Sequence, residues 1–166
     1  IGDVREGRIG RIESTGGDGI YIGTSTQPYC KDVVIRDVIC FDNNRQGISV
    51  IGAENLLIEN STFSNTWGTA PSAGIDLEPD SPNQRLVNCV IRNSVFENNA
   101  GHAVLVYLKN LDANSPPVSV RFENCVMRMG YGAGMEPADF KDPEMEGWAG
   151  MSVGAAKDGG VKGTVE

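Results

Sequence analysis

The chain has a single histidine and no Cys-x-x-Cys pair, so its four cysteines, Cys30, Cys40, Cys89 and Cys125, match no zinc-binding spacing. Basic residues are scarce too. Fourteen Lys and Arg stand against 22 Asp and Glu, leaving a net charge of −8. That deficit argues against a nucleic-acid partner, which would need clustered positive charge, and against a polyanionic substrate that nothing neutralises. No apolar run approaches the roughly 20 residues of a membrane-spanning helix. Glycine, by contrast, is plentiful, with 21 residues, and Asn recurs at turn-like positions. Many tight turns follow, and long helices do not. An apolar share of 40 % over 166 residues is enough for one domain with a continuous core.

Four segments look alike: Gly19-Ile20-Tyr21-Ile22, Gly47-Ile48-Ser49-Val50, Gly74-Ile75-Asp76-Leu77 and Ala103-Val104-Leu105-Val106. Their starts are 28, 27 and 29 residues apart. Between them falls a second set, containing Val33-Val34-Ile35, Leu56-Leu57-Ile58, Cys89-Val90-Ile91 and Val120-Arg121-Phe122. Each of these leads into a third short apolar piece such as Ser61-Thr62-Phe63 or Ser94-Val95-Phe96. Three short strands per repeat, stacked on the next repeat, make the coil of a β-solenoid.

Alternate residues of a strand point to opposite faces, so stacked columns should be purely apolar or purely polar. Ile20, Ile48, Ile75 and Val104 form one inward column, and Ile22, Val50, Leu77 and Val106 the next. Ile35, Ile58, Ile91 and Phe122 make a third, and Cys40, Phe63, Phe96 and Met127 a fourth. Cys89 aligns with Val33, Leu56 and Val120, and Cys125 with Val38, Ser61 and Ser94. These three cysteines therefore read as small core residues, although a disulfide is compatible with a secreted protein. Asp37, Asn60, Asn93 and Asn124 mark the bend after the second strand, where a buried amide ladder is expected. Arg36, Glu59, Arg92 and Glu123 alternate in sign beside it, as a register-fixing surface ladder would.

The phrases Gly17-Asp18-Gly19-Ile20-Tyr21-Ile22, Gly74-Ile75-Asp76-Leu77-Glu78-Pro79 and Val90-Ile91-Arg92-Asn93-Ser94-Val95-Phe96-Glu97-Asn98-Asn99 resemble the pectate-lyase-like superfamily of right-handed parallel β-helix proteins. The likeness spans about Arg8 to Met129. It implies an all-β solenoid of about four to five coils over residues 1–166, a secreted or extracellular location, and a polysaccharide as partner. Arg8 to Glu13 reads as part of a preceding coil, Gly150 to Val153 as the first strand of a fifth and Gly163 to Glu166 as the start of its second. Further coils of a longer chain are expected to pack on both ends. Residues 74–79 are also similar to the Gly-Phe-Asp-Pro-His stretch of bacterial mannuronan epimerases, but Leu77 replaces Pro and Glu78 replaces His. The missing His would have moved the proton, so epimerisation is not carried over.

The outward positions of the first strands gather the chemistry. Tyr21, Ser49, Asp76 and Leu105 form one column, with Glu78 and Tyr107 in the next and Lys109 at the exit. Asp18, Gln46, Ala73 and His102 stand at the entry. Asp76 and Glu78, two residues apart, share a face with Cα atoms roughly 6.5–7 Å apart. Their reachable carboxyl separations overlap those of glycosidase acid pairs, and with Asp80 the pair also suits Ca²⁺. Asp76, Glu78 and His102 are thus the catalytic candidates; Tyr21, Tyr107, Lys109 and Trp67 are the substrate-binding ones. Residues 129–149 break the repeat with an acidic insertion containing Phe140 and Trp148, a candidate groove wall opposite the Trp67 loop. The function expected is cleavage of a polysaccharide by hydrolysis or β-elimination. The alternative is a non-catalytic β-helix for adhesion or glycan binding.

Overall fold

The computed structural model describes residues 11–129, 150–154 and 160–166. Its strands form three parallel sheets of five. The first sheet holds β2 (Ile20–Ile22), β5 (Ile48–Val50), β8 (Ile75–Leu77), β11 (Val104–Tyr107) and β14 (Met151–Gly154). The second holds β3 (Cys30–Arg36), β6 (Ala53–Glu59), β9 (Leu86–Arg92), β12 (Val118–Glu123) and β15 (Gly163–Val165). The third holds β1 (Arg11–Glu13), β4 (Ile39–Phe41), β7 (Thr62–Ser64), β10 (Val95–Asn99) and β13 (Val126–Met129). Each turn of the chain visits the sheets in that cycle and stacks on the turn before, giving a parallel β-helix of about five coils. Among the described residues no helix is long and apolar enough to cross a membrane.

The register is the one that the repeat dictates. Ile20 pairs with Ile48, Ile48 with Ile75, and Ile75 with Val104. Met151 extends that column by one coil. From Ile48 onward these positions are fully buried up to Val104, as are Val50, Leu77 and Val106 beside them, and each such side chain contributes about 1.5–3 kcal/mol through the water it sheds. In the third sheet the Phe63 and Phe96 rings stack with centroids 5.3 Å apart and planes 10° from parallel. Cys40 and Cys89 fill core positions, and burial pushes both thiols up to about 12. All four cysteines are free. The column Gly19, Gly47, Gly74 explains its own composition. A Cβ on Gly47 would lie 2.6 Å from the Gly74 carbonyl oxygen, and one on Gly74 would lie 2.6 Å from that of Ala103. The coils approach too closely there for a side chain.

Corners between the second and third sheets are always two residues long, and the residue that opens each has a left-handed backbone: Asp37 (φ 57), Asn60 (φ 52), Asn93 (φ 51) and Asn124 (φ 49). The expected amide ladder forms here in one rung, where Asn124 Nδ2 donates to Asn93 Oδ1 at 2.8 Å. It is exposed rather than buried, because a left-handed corner turns its side chain out to solvent. The buried polar stack lies at another corner. There Asn43 Nδ2 donates to Thr15 Oγ1 (3.0 Å), and Asn99 accepts from the Thr66 N–H (3.2 Å) and donates to the Phe63 carbonyl (3.1 Å). The alternating charges pair as expected: Glu59 sits between Arg36 (3.3 Å) and Arg92 (2.7 Å). Glu59 is mostly buried and the two arginines are partly exposed, so each pair contributes about 1 kcal/mol or less and serves mainly to hold register.

Candidate functional site

Loop length singles out one sheet. The corners between the second and third sheets never vary, whereas the segments entering and leaving the first sheet do: residues 65–74 lead into β8, 78–85 leave it, and 108–117 leave β11. The rigid first sheet is therefore bordered on both sides by the segments free to specialise. The groove wall expected from residues 129–149, with Phe140 and Trp148, lies outside the described residues beyond Met129.

On this sheet Asp76 occupies its expected outward position, stacked between Ser49 and Leu105. It is not exposed as expected. Asp76 is 1 % accessible, Ser49 is buried equally, and Glu78 is half-buried. The period-two pattern fixes where a Cβ points; it does not fix what lies over the sheet. Gln46, fully buried at the entry to β5, crosses to the next coil and donates from Nε2 to Asp76 Oδ2 at 2.8 Å. Three buried oxygens around it have no partner: Asp76 Oδ1, Gln46 Oε1 and Ser49 Oγ. Such groups carry a desolvation cost of about 1–3 kcal/mol each when left unsatisfied, and their gathering marks a place built to receive polar atoms.

Asp76 on β8 and Glu78 just beyond its end lie close enough for the charge of one to act on the other. Burial, and then the charge of Glu78, raise the Asp76 carboxyl from 3.8 to about 7, against the opposing pull of the Gln46 hydrogen bond and of Arg45. Burial and a like charge nearby both disfavour the ionised form, so the proton is held more tightly at Asp76 than at an ordinary carboxyl. Asp18 closes the entry side. It accepts from the Gln46 backbone N–H at 3.3 Å and pairs with Arg45 at 3.5 Å. The expected set of Asp76, Glu78 and Asp80 for Ca²⁺ is not assembled; among the described residues no three of His, Cys, Asp and Glu gather as a metal would require.

The remaining candidates lie around this dyad. His102 is half-buried at the entry to β11, one coil beyond Asp76, and its carbonyl accepts from the Gly74 N–H at 3.0 Å. Tyr21 ends the Asp76 column two coils back and is 57 % exposed. Its hydroxyl is raised above 10 by desolvation, then by the charges of Asp80 and Asp18. Trp67, 45 % exposed, rides on the 65–74 loop, which is tied to the coil below by Gly68 N–H to the Asn44 carbonyl (2.8 Å) and Thr69 Oγ1 to Asn44 Oδ1 (3.1 Å). Tyr107 follows the Val106–Leu77 pair by one residue, in line with Glu78, and Lys109 Nζ lies 5.1 Å from its ring centroid. Gln46, Ser49 and Arg45 are the functional residues that sequence reasoning passed over. Gln46 and Ser49 were visible in the columns as polar residues inside an otherwise apolar neighbourhood, which is the signal that could have found them.

The architecture is a parallel β-solenoid with a buried carboxyl and a half-buried one side by side on its first sheet. A family model for the right handed beta helix region matches residues 6–139, and the chain belongs to that family. No curated protein and no solved structure matches the chain.

Proposed function

We propose that this β-helix is the catalytic stretch of a secreted carbohydrate-active enzyme that cleaves a polysaccharide, with the Asp76–Glu78 dyad as its proton donor. The observation that carries the proposal is a buried carboxyl held by Gln46, with a half-buried second carboxyl two residues on and unpaired oxygens around it; burial and the charge of Glu78 raise its proton affinity to about 7. A general acid works best when its proton affinity lies near the working pH. Asp76 keeps the proton in the dyad, and Glu78, the more accessible member, presents it to the glycosidic oxygen. His102 on the next coil serves as the second proton-transfer group. Tyr21 and Trp67 offer exposed rings for stacking on sugar faces, and Tyr107 with Lys109 extends the same surface.

The rival reading, a non-catalytic coil for adhesion or glycan binding, draws on the burial itself. At 1 % exposure Asp76 never meets a sugar directly, and the polar column could serve to hold two coils together. The two readings separate in a depolymerisation assay. On a polysaccharide that the protein cleaves, Asp76→Asn and Glu78→Gln should each lower the release of reducing ends about a hundredfold or more, with unfolding midpoints no lower than the wild type's. A polysaccharide bound tightly but left intact by the wild type would favour the rival.

A further inference from the structure

The second sheet carries the longest strands, and its outward residues Lys31, Asp32, Asn55, Asn88, Ser119 and Arg121 are exposed. Down the middle of that face Val34, Leu57 and Val90 stack in one half-buried apolar column that Arg121 continues. Beside it runs the charged column Arg36, Glu59, Arg92 and Glu123, which reads plus, minus, plus, minus. A pattern of that kind complements its own reverse. Two such faces can meet about 10 Å apart, as stacked sheets do. With a two-fold axis lying along the strands between β6 and β9, Leu57 faces Val90 of the second copy, and Val34 faces the aliphatic stem of Arg121. In the charged column Arg36 then faces Glu123, and Glu59 faces Arg92, opposite signs at every place. Slid by one coil in either direction, Glu59 or Arg92 faces its own copy. Turned instead about the helix axis, Glu59 comes opposite Glu54. Like charges disfavour each of these alternatives, so the sequence singles out one antiparallel arrangement.

We infer that the second sheet is a docking surface for a second copy of this chain, with the two solenoids antiparallel and face to face. The pairs within each chain do not use up the charges. Arg92 donates to Glu59 from Nε and Nη2, which leaves the donors of Nη1 for the partner. The side chains of Arg36 and Glu123 are 42 % and 41 % exposed, so both can reach across. An apolar centre at Leu57 and Val90 with charge at its margin is the usual anatomy of a protein contact. Four coils roughly 4.8 Å apart, with strands rising about 3.3 Å per residue, offer a face of roughly 450 Å² on each copy. That is near the lower end for specific contacts, so the dimer is weak and reversible. The first sheet takes no part in it.

Sedimentation velocity over a concentration series from micromolar into the millimolar range tests this. The expected result is a reversible monomer–dimer equilibrium that added salt weakens. Leu57→Arg should weaken the dimer about tenfold or more, and so should Glu123→Arg, which sets two arginines against each other at both ends of the contact. Adding Arg36→Glu to Glu123→Arg should restore most of the lost affinity. Residues 36 and 123 lie on β3 and β12, the first and fourth strands of the stack, so a rescue between them reports a contact between copies and not one within a chain. Circular dichroism and unfolding midpoints show that each variant is folded. A chain that stays monomeric throughout the series would overturn the inference. So would a dimer indifferent to Leu57→Arg, or a double variant no tighter than Glu123→Arg alone.

Discussion

Replacing Asp76 with asparagine should make the protein more stable than the wild type above neutral pH, and no more stable near pH 4. Folding raises this carboxyl from 3.8 to about 7, so between those values the folded chain keeps a proton that the unfolded chain has released. The wild type's stability is therefore full below about pH 4, falls as pH rises through the window, and levels off above about 7. At about 1.4 kcal/mol for each tenfold change in proton affinity, the loss attributable to this group reaches about 4 kcal/mol. An asparagine keeps the shape, can still accept from Gln46 Nε2, and can donate to Glu78, so its own cost at low pH should stay within about 1 kcal/mol. Urea denaturation of both proteins in steps from about pH 4 to pH 8 measures the difference, in which titrating groups remote from Asp76 cancel. Stability curves that run parallel across the window would refute the buried, proton-holding dyad.

Two further substitutions probe the scaffold. Phe63→Ala removes a fully buried ring stacked on Phe96 and should cost about 3–5 kcal/mol in a denaturant titration; a loss under about 1 kcal/mol would mean that the third sheet does not pack as described. Asn93→Ala should destabilise by about 1–2 kcal/mol because alanine lacks the short polar side chain that eases asparagine into the left-handed corner at φ 51, whereas Asn93→Gly, free of a Cβ, should recover most of that loss. Equal losses in the two variants would shift the cause from backbone geometry to the lost Asn124 rung.

Most of the fold was legible because a solenoid repeats its evidence. Ile20, Ile48, Ile75 and Val104 fall into one column by spacing alone, and the strands pair in that register. The gap between Ala103 and Gly150 did not hide the fifth coil, since Met151 pairs with Val104 and Gly163 with Val118. The corner at Asn60, Asn93 and Asn124 was legible as a turn but not as an exposed one, because amide ladders occur at both kinds of corner and only the backbone turn decides. A second ladder went unread. Asn88 Nδ2 donates to Asn55 Oδ1 (2.9 Å), and Asn55 Nδ2 to Asp32 Oδ1 (2.7 Å). These residues interrupt β3, β6 and β9 with positive φ of 55, 59 and 52, so the apolar alternation runs past them. At the site, the columns put Asp76 and Glu78 on the outer face of the first sheet. The burial of Asp76, and the reach of Gln46 across a coil, depend on what covers that face, which no periodicity encodes.

The buried Asp76 carboxyl beside Glu78 should hold its proton up to neutral pH, and a carboxyl-carbon NMR titration of the aspartate-labelled protein measures this directly. Asp76 should titrate with a midpoint near 7, and Glu78→Gln should lower that midpoint by removing the neighbouring charge. A midpoint for Asp76 near the ordinary value of about 4, unmoved by Glu78→Gln, would contradict the dyad and the acid catalysis built on it.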